Sequence, residues 1–184
     1  MQIIVNMMDA YRRYARRHPV RFISINLILV LVWIAVIMGF SSEDADVSGD
    51  RSARVLVGIV NVIDPDANVT LENYQSFPGL ENSERIVRKL AHMTEYGLLA
   101  LLMFSFLYGF KDLPRKQNYI IPVAFVALLG TIDEIHQTTV AGRYGSLFDV
   151  CVDTSAAFIV ICLVHHLVYR FRIYSAKKNR GQSV

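Results

Sequence analysis

Residues 22–40 read FISINLILVLVWIAVIMGF, nineteen consecutive residues without a charge. A helix rises about 1.5 Å per residue and needs about 20 residues to cross the ~30 Å hydrocarbon core of a bilayer, so this run is long enough to span a membrane by itself. Its flanks give it a direction. Arg12, Arg13, Arg16, Arg17 and Arg21 precede it, whereas Glu43, Asp44, Asp46 and Asp50 follow it. Short basic flanks stay on the cytoplasmic side, so the chain is expected to leave the cytoplasm through this span. The run is too long for a secretory h-region of about 7–15 residues, and Met38-Gly39-Phe40-Ser41-Ser42 is no A-x-A cleavage site, so it is read as an anchor.

Three further apolar runs have the same reach: Leu90 to Phe110, Asn118 to Gln137, and Leu147 to Tyr169. Lys111, Arg115 and Lys116 join the second run to the third, and Arg170, Arg172, Lys177, Lys178 and Arg180 follow the fourth. In this arrangement fourteen of the sixteen acidic residues fall on the outer side or in the outer membrane half, and thirteen of the nineteen Lys and Arg on the inner side. Both termini are therefore expected in the cytoplasm. With 184 residues, 53% of them hydrophobic, and a mean hydropathy of +0.35, the chain reads as one domain over residues 1–184. The expected fold is an all-α, polytopic membrane helix bundle of four transmembrane helices plus a short interfacial helix. A formal charge of +3 spread over flanks beside apolar spans points to lipid headgroups and argues against nucleic acid.

Outside the spans, Ile4, Met8, Tyr11 and Ala15 recur at helical spacing opposite the arginines, which predicts an amphipathic helix on residues 1–21 that ends at Pro19. Residues 41–89 form an extracytoplasmic segment. Its apolar stretch Val55 to Ile63 is too short to span and predicts an interfacial or docked helix. Asp64-Pro65-Asp66 and Phe77-Pro78-Gly79 supply turns, and Asn82 or Ser83 is placed to cap a helix leading into the second span. Cys151 and Cys162 lie about 16 Å apart on one helix, beyond disulfide reach, and read as small apolar packing residues. His165 and His166, near the inner end, read as interfacial residues.

Ionisable groups within spans are costly, usually face the bundle interior, and are functional candidates by default. Here they gather at one end. His92, Glu95 and Tyr96 share a face of the second span at i, i+3 and i+4, with Arg88 one turn outward. Asp133, His136 and Gln137 repeat that spacing in the third span, with Glu134 beside them. Arg143 follows in the next loop. Ser146, Asp149 and Asp153 open the fourth span, the two carboxylates about 6 Å apart along its axis. Three antiparallel helices thus carry these side chains to one membrane depth, and all twelve are candidate ligand-binding residues.

Several chemistries fit such a set. His92, Glu95, Asp133 and His136 resemble the i, i+3 carboxylate and histidine pairs that ligate metals in four-helix bundles, which makes them candidate ligands for a divalent metal, although no resident cofactor is expected. His92 or His136, oriented by Asp149 or Asp133, could serve as acid or base, with Glu95 a further catalytic candidate. Ser146 reads better as the N-cap of the fourth helix than as a nucleophile. Opposed charges could also lock the bundle as an ion-pair network.

The string Arg88-Lys89-Leu90-Ala91-His92-Met93-Thr94-Glu95-Tyr96, the run Asp133-Glu134-Ile135-His136-Gln137, and Arg143, Ser146, Asp149 and Asp153 resemble the pattern of VanZ-like membrane proteins. Phe40-Ser41-Ser42, with Ser48 and Ser52, is similar to that family's signature after its first span. The resemblance runs from about residue 30 to 165. Glu43 stands where the family usually has Gln, and Asp153 with Ala156 where it has Asn and Gly. The resemblance implies a multi-pass protein of a bacterial plasma membrane, associated with resistance to teicoplanin-type lipoglycopeptides. The function expected from it is an outer-leaflet polar pocket for an amphiphilic envelope ligand, either a lipid-linked intermediate or a lipoglycopeptide. In that reading Arg88, Lys89 and Arg143 meet its acidic groups. The alternatives are an intramembrane, metal-assisted hydrolase or transferase acting on a lipid head group, and a scaffold for a membrane partner.

Overall fold

A computed structural model describes residues 2–80 and 83–181. Among these the chain is all helical: α1 (Gln2–Arg17), α2 (Pro19–Ser41), α3 (Ala45–Ile63), α4 (Ser83–Tyr108), α5 (Gln117–Gln137) and α6 (Leu147–Gly181), with 3₁₀ turns at Pro65–Ala67 and Tyr74–Ser76. Four helices, α2, α4, α5 and the Leu147–Phe171 part of α6, are long and apolar enough to cross a membrane. Their outward faces carry exposed Leu27, Leu31, Leu128, Phe158 and Leu163, which suits contact with lipid tails.

Helix α4 is the centre of the bundle and packs on α2, α3, α5 and α6. On α2 the buried residues Phe22, Asn26, Val30, Ile37 and Ser41 form one stripe, as expected of a helix that touches protein on one side only. Val30 and Ile37 meet Tyr96, Leu99, Ala100 and Met103 of α4, Val126 of α5, and Ala157 and Ile161 of α6 in a continuous core. The single tryptophan ties α2 to α4, because Trp33 Nε1 donates to the Glu95 carbonyl at 2.9 Å. Pro122 lies buried inside α5, where its missing backbone donor leaves the helix unbroken because neighbouring helices make such an interruption tolerable.

The first helix ends at Arg17 and the second begins at Pro19, so the break expected at the proline is present. Tyr11 fixes α1 to the bundle: its ring lies 5.1 Å from Phe22 and its hydroxyl bonds Ser105 Oγ at 2.6 Å. Ser105 in turn donates to Asn26. The side chains of Ile4 and Met8, the other part of the predicted apolar face, lie outside the described residues, as does Asn82.

Two expectations need correction. The helix foreseen around residues 55–63 starts ten residues earlier and is docked on α4: Asp44 caps it by accepting from the Val47 amide at 2.8 Å, and Ala53 and Leu56 pack against Val69, Tyr74 and Val87. Asn61 clamps the following connection by exchanging two hydrogen bonds with the Val69 backbone, at 2.8 and 3.0 Å. Cys151 and Cys162 are free thiols on the exposed face of α6, where they face outward instead of packing inside. Ser83 is the first residue of α4, and its hydroxyl donates back to the Gly79 carbonyl at 3.1 Å.

Candidate functional site

The loop 138–146 between α5 and α6 folds back over the corner between α2 and α3. The Ala45 amide donates to the Ala141 carbonyl at 3.2 Å, Arg143 Nη2 donates to the Phe40 carbonyl at 3.3 Å, and Ser42 Oγ meets His136 Nε2 at 3.1 Å. Two glycines permit this approach. Gly142 has φ +71°, a left-handed conformation, and a Cβ there would lie 2.9 Å from that of Ala45. At Gly145 a Cβ would lie 2.5 Å from the Glu134 carbonyl oxygen, closer than van der Waals contact allows. The corner is itself braced: Arg51 pairs with Glu43 and lies 4.7 Å over the Phe40 ring.

Under this loop is a polar cavity of about 220 Å³. Arg85, Arg88, Lys89 and His92 border it from α4, Glu134 and Gln137 from α5, and Asp149 and Asp153 from α6. Arg143, Tyr144, Gly142 and Ala45 close it. The placement follows from helical spacing, because Arg85, Arg88 and His92 stand at i, i+3 and i+7, and Asp149 and Asp153 at i and i+4.

Hydrogen bonds stitch the walls together. Lys89 pairs with Asp149, linking α4 to α6, and its ammonium lies 5.2 Å over the Phe148 ring. A Glu134 carboxyl oxygen accepts from the Ser146 amide at 2.7 Å and so ties the start of α6 to α5. Ser146 immediately precedes α6, the N-cap place expected of it, and its carbonyl accepts from Asp149 and Val150. Arg143 Nη1 donates to Gln137 Oε1 at 3.4 Å, and Gln137 Nε2 donates to Asp133 Oδ2 at 3.0 Å. Burial first, and then the Arg88 charge, draw Arg143 below the usual guanidinium range, while Asp133, Glu43 and Glu134 pull the other way.

Seven of the expected site residues meet at the cavity: Arg88, His92, Glu134, Gln137, Arg143, Asp149 and Asp153. The other five do not line it. Tyr96 and Asp133 are fully buried beneath it, and neither the Tyr96 hydroxyl nor Asp133 Oδ1 has a hydrogen-bond partner among the described residues. Glu95 approaches His92, with Oε2 3.9 Å from Nδ1, while its backbone receives Trp33. The His92 ring stacks on Tyr96 at 6.5 Å between centroids. His136 turns toward Ser42, and Ser146 contributes backbone.

Among the described residues no three His, Cys, Asp or Glu side chains are grouped to hold a metal ion. Of the four expected ligands, His92 borders the cavity, Glu95 and Asp133 lie off it, and His136 is engaged at the α2–α3 corner. Arg85, Tyr144, Ala45 and Gly142 were not among the expected site residues. Arg85 had a legible signal, since it precedes Arg88 by one helical turn; the other three reach the site only through tertiary folding of the loop.

No curated protein and no solved structure matches the chain. The VanZ/LLP1 family model matches residues 26–169, from within α2 to within α6, and so takes in all the cavity-lining residues. The second and third spans, most of the first and fourth, the loop folded on the α2–α3 corner and the cavity therefore lie within the matched region, and the chain belongs to the VanZ/LLP1 family of membrane proteins.

Proposed function

We propose that this protein is a multi-pass component of a bacterial plasma membrane whose polar cavity, at the outer end of the bundle, binds the acidic head group of an amphiphilic envelope ligand. The ligand class is a lipid-linked intermediate or a lipoglycopeptide. One observation carries the reading: Arg88, which makes no ion pair with a described residue, and Arg143, whose buried Nε has no partner, border the same cavity. Guanidinium groups present planar donor forks that match phosphate and carboxylate. Size narrows the ligand further. A cavity of about 220 Å³ is below the roughly 300–1,000 Å³ that encloses a drug-sized molecule. It suits a head group, with the apolar part lying outside along Tyr144, Leu147 and Phe148, which are 87%, 80% and 66% exposed.

Phosphorus-31 NMR of hexadecyl phosphate in dodecyl maltoside micelles tests this directly. The wild-type protein is expected to shift and broaden the phosphate resonance. Arg88→Gln and Arg143→Gln each remove a charge-assisted contact of about 1.5–3 kcal/mol, which weakens binding roughly ten- to hundredfold. Identical titrations for wild type and both variants would overturn the reading and leave the charges as bundle cohesion. A second reading has its own support, because His92, Glu134 and Asp153 border the cavity and place acid and base groups where a phosphate would sit. That reading requires the same spectra to show inorganic phosphate accumulating as water cleaves the ester to hexadecanol. A role in teicoplanin-type resistance follows if the bound ligand is the lipid-linked target of such drugs, and it predicts that losing the protein changes susceptibility.

A further inference from the structure

The opposite end of the bundle carries a second site of different chemistry. Between α5 and α6 lies a groove of about 620 Å³, walled by Ile120, Ala127, Phe158 and Cys162 and open on Lys116 and His165. Its volume falls within the roughly 300–1,000 Å³ of small-ligand sites. Ile120 is 63% and Phe158 59% exposed, so the walls belong to the outward surface of two spans and not to the bundle interior. From Lys116 to Ala127 the groove follows eleven residues of α5, a rise of about 16 Å, close to half the ~30 Å hydrocarbon core. It therefore runs the depth of one leaflet. At its mouth the Tyr119 ring stands edge-on to His165, 4.8 Å away, and Lys116 is exposed beside Arg115 and Lys111. A cation at headgroup depth above an apolar channel one leaflet deep matches the two parts of an anionic lipid.

We propose that this groove holds one acyl chain of an anionic phospholipid from the leaflet at that end of the bundle, with the lipid phosphate against Lys116. The site shares no residue with the polar cavity and does not depend on the reading given to it. Among the described residues no carboxylate lines the groove, and Asp112 is the single acid in the connection before α5. Bulk lipid would bathe such a surface without choosing a head group; a site of this composition chooses.

Native mass spectrometry of the full chain, released from nanodiscs of equal phosphatidylglycerol and phosphatidylcholine, reads that choice. The wild-type protein is expected to retain one phosphatidylglycerol in preference to phosphatidylcholine by about fivefold, the contribution of one lysine at an anionic surface. Lys116→Gln, a change at an exposed position, should bring the two lipids close to parity. Ala127→Trp should fill the channel and remove the adduct, with circular dichroism confirming that the helices persist. A phosphatidylglycerol held in the polar cavity is the one that Arg88→Gln removes, so the groove's adduct is the one that persists in Arg88→Gln and disappears in Ala127→Trp. No head-group preference in the wild type would overturn the proposal, as would an adduct lost in Arg88→Gln but kept in Lys116→Gln and Ala127→Trp. A lipid-free dimer would overturn it too, by assigning the groove to a second copy of the chain.

Discussion

Replacing Glu134 with alanine should loosen the start of α6 while the rest of that helix holds. Glu134 is 7% exposed, and its side-chain oxygen accepts from the Ser146 amide at 2.7 Å. An amide at the entry to a helix has no intrahelical acceptor, so it depends on such a partner. Leaving a donor at this half-buried position unsatisfied costs about 1 kcal/mol, the low end for unsatisfied donors, and each 1.4 kcal/mol is a factor of ten, so local opening at Ser146 should become roughly fivefold more frequent. Hydrogen exchange of the protein in nanodiscs, followed on peptides covering residues 140–150, measures that opening. Peptides around Ala157, which is fully buried in the core, act as the internal control. Glu134→Gln keeps a carbonyl acceptor and should exchange closer to wild type, which separates the acceptor from its charge. Unchanged exchange at Ser146 in Glu134→Ala would refute the reasoning, because it would mean that this contact does not hold the α5–α6 connection.

Three further outcomes are expected. Gly145→Ala should destabilise the protein by about 1–3 kcal/mol, since its Cβ meets the Glu134 carbonyl at 2.5 Å, and unfolding in mixed micelles followed by Trp33 fluorescence would show it. Trp33→Phe removes the hydrogen bond to the Glu95 carbonyl and should cost about 0.5–1.5 kcal/mol, measurable by circular dichroism because the fluorophore is lost with the residue. A double-mutant cycle on Lys89 and Asp149 should return about 0.2–1 kcal/mol and shrink with added salt, since both side chains are about a third or more exposed.

The spans were legible because hydropathy and length decide them without tertiary information, and all four expected runs are helices in the structure. Convergence at one end of the bundle was legible for the same reason, from i, i+3 and i+4 spacing on antiparallel helices: Arg88, His92, Asp149 and Asp153 meet at the cavity as their faces require. Depth within the site was not. Tyr96 and Asp133 share faces with residues that line the cavity, yet packing places them beneath it. His136 has the right spacing and goes elsewhere because the α2–α3 corner supplies the Ser42 hydroxyl, a contact spanning 94 residues. The early start of α3 was hidden because its first ten residues are mostly polar, although Asp44 followed three residues later by a helical amide donor is the cap that begins it. Tyr144 and Gly142 enter the site through a loop conformation that no periodicity encodes. The departure at Glu43 also has a local consequence, an ion pair to Arg51 that braces the corner above the cavity.

The account rests on an outward-facing cavity that takes an acidic head group, and labelling of Tyr144→Cys tests both parts at once. Tyr144 borders the cavity and is 87% exposed. With Cys151 and Cys162 changed to serine, a membrane-impermeant maleimide added to intact cells should label this position, hexadecyl phosphate should slow the labelling, and Arg88→Gln should abolish the protection. Labelling only after the cells are opened, or a rate that hexadecyl phosphate leaves unchanged in the parent protein, would contradict it.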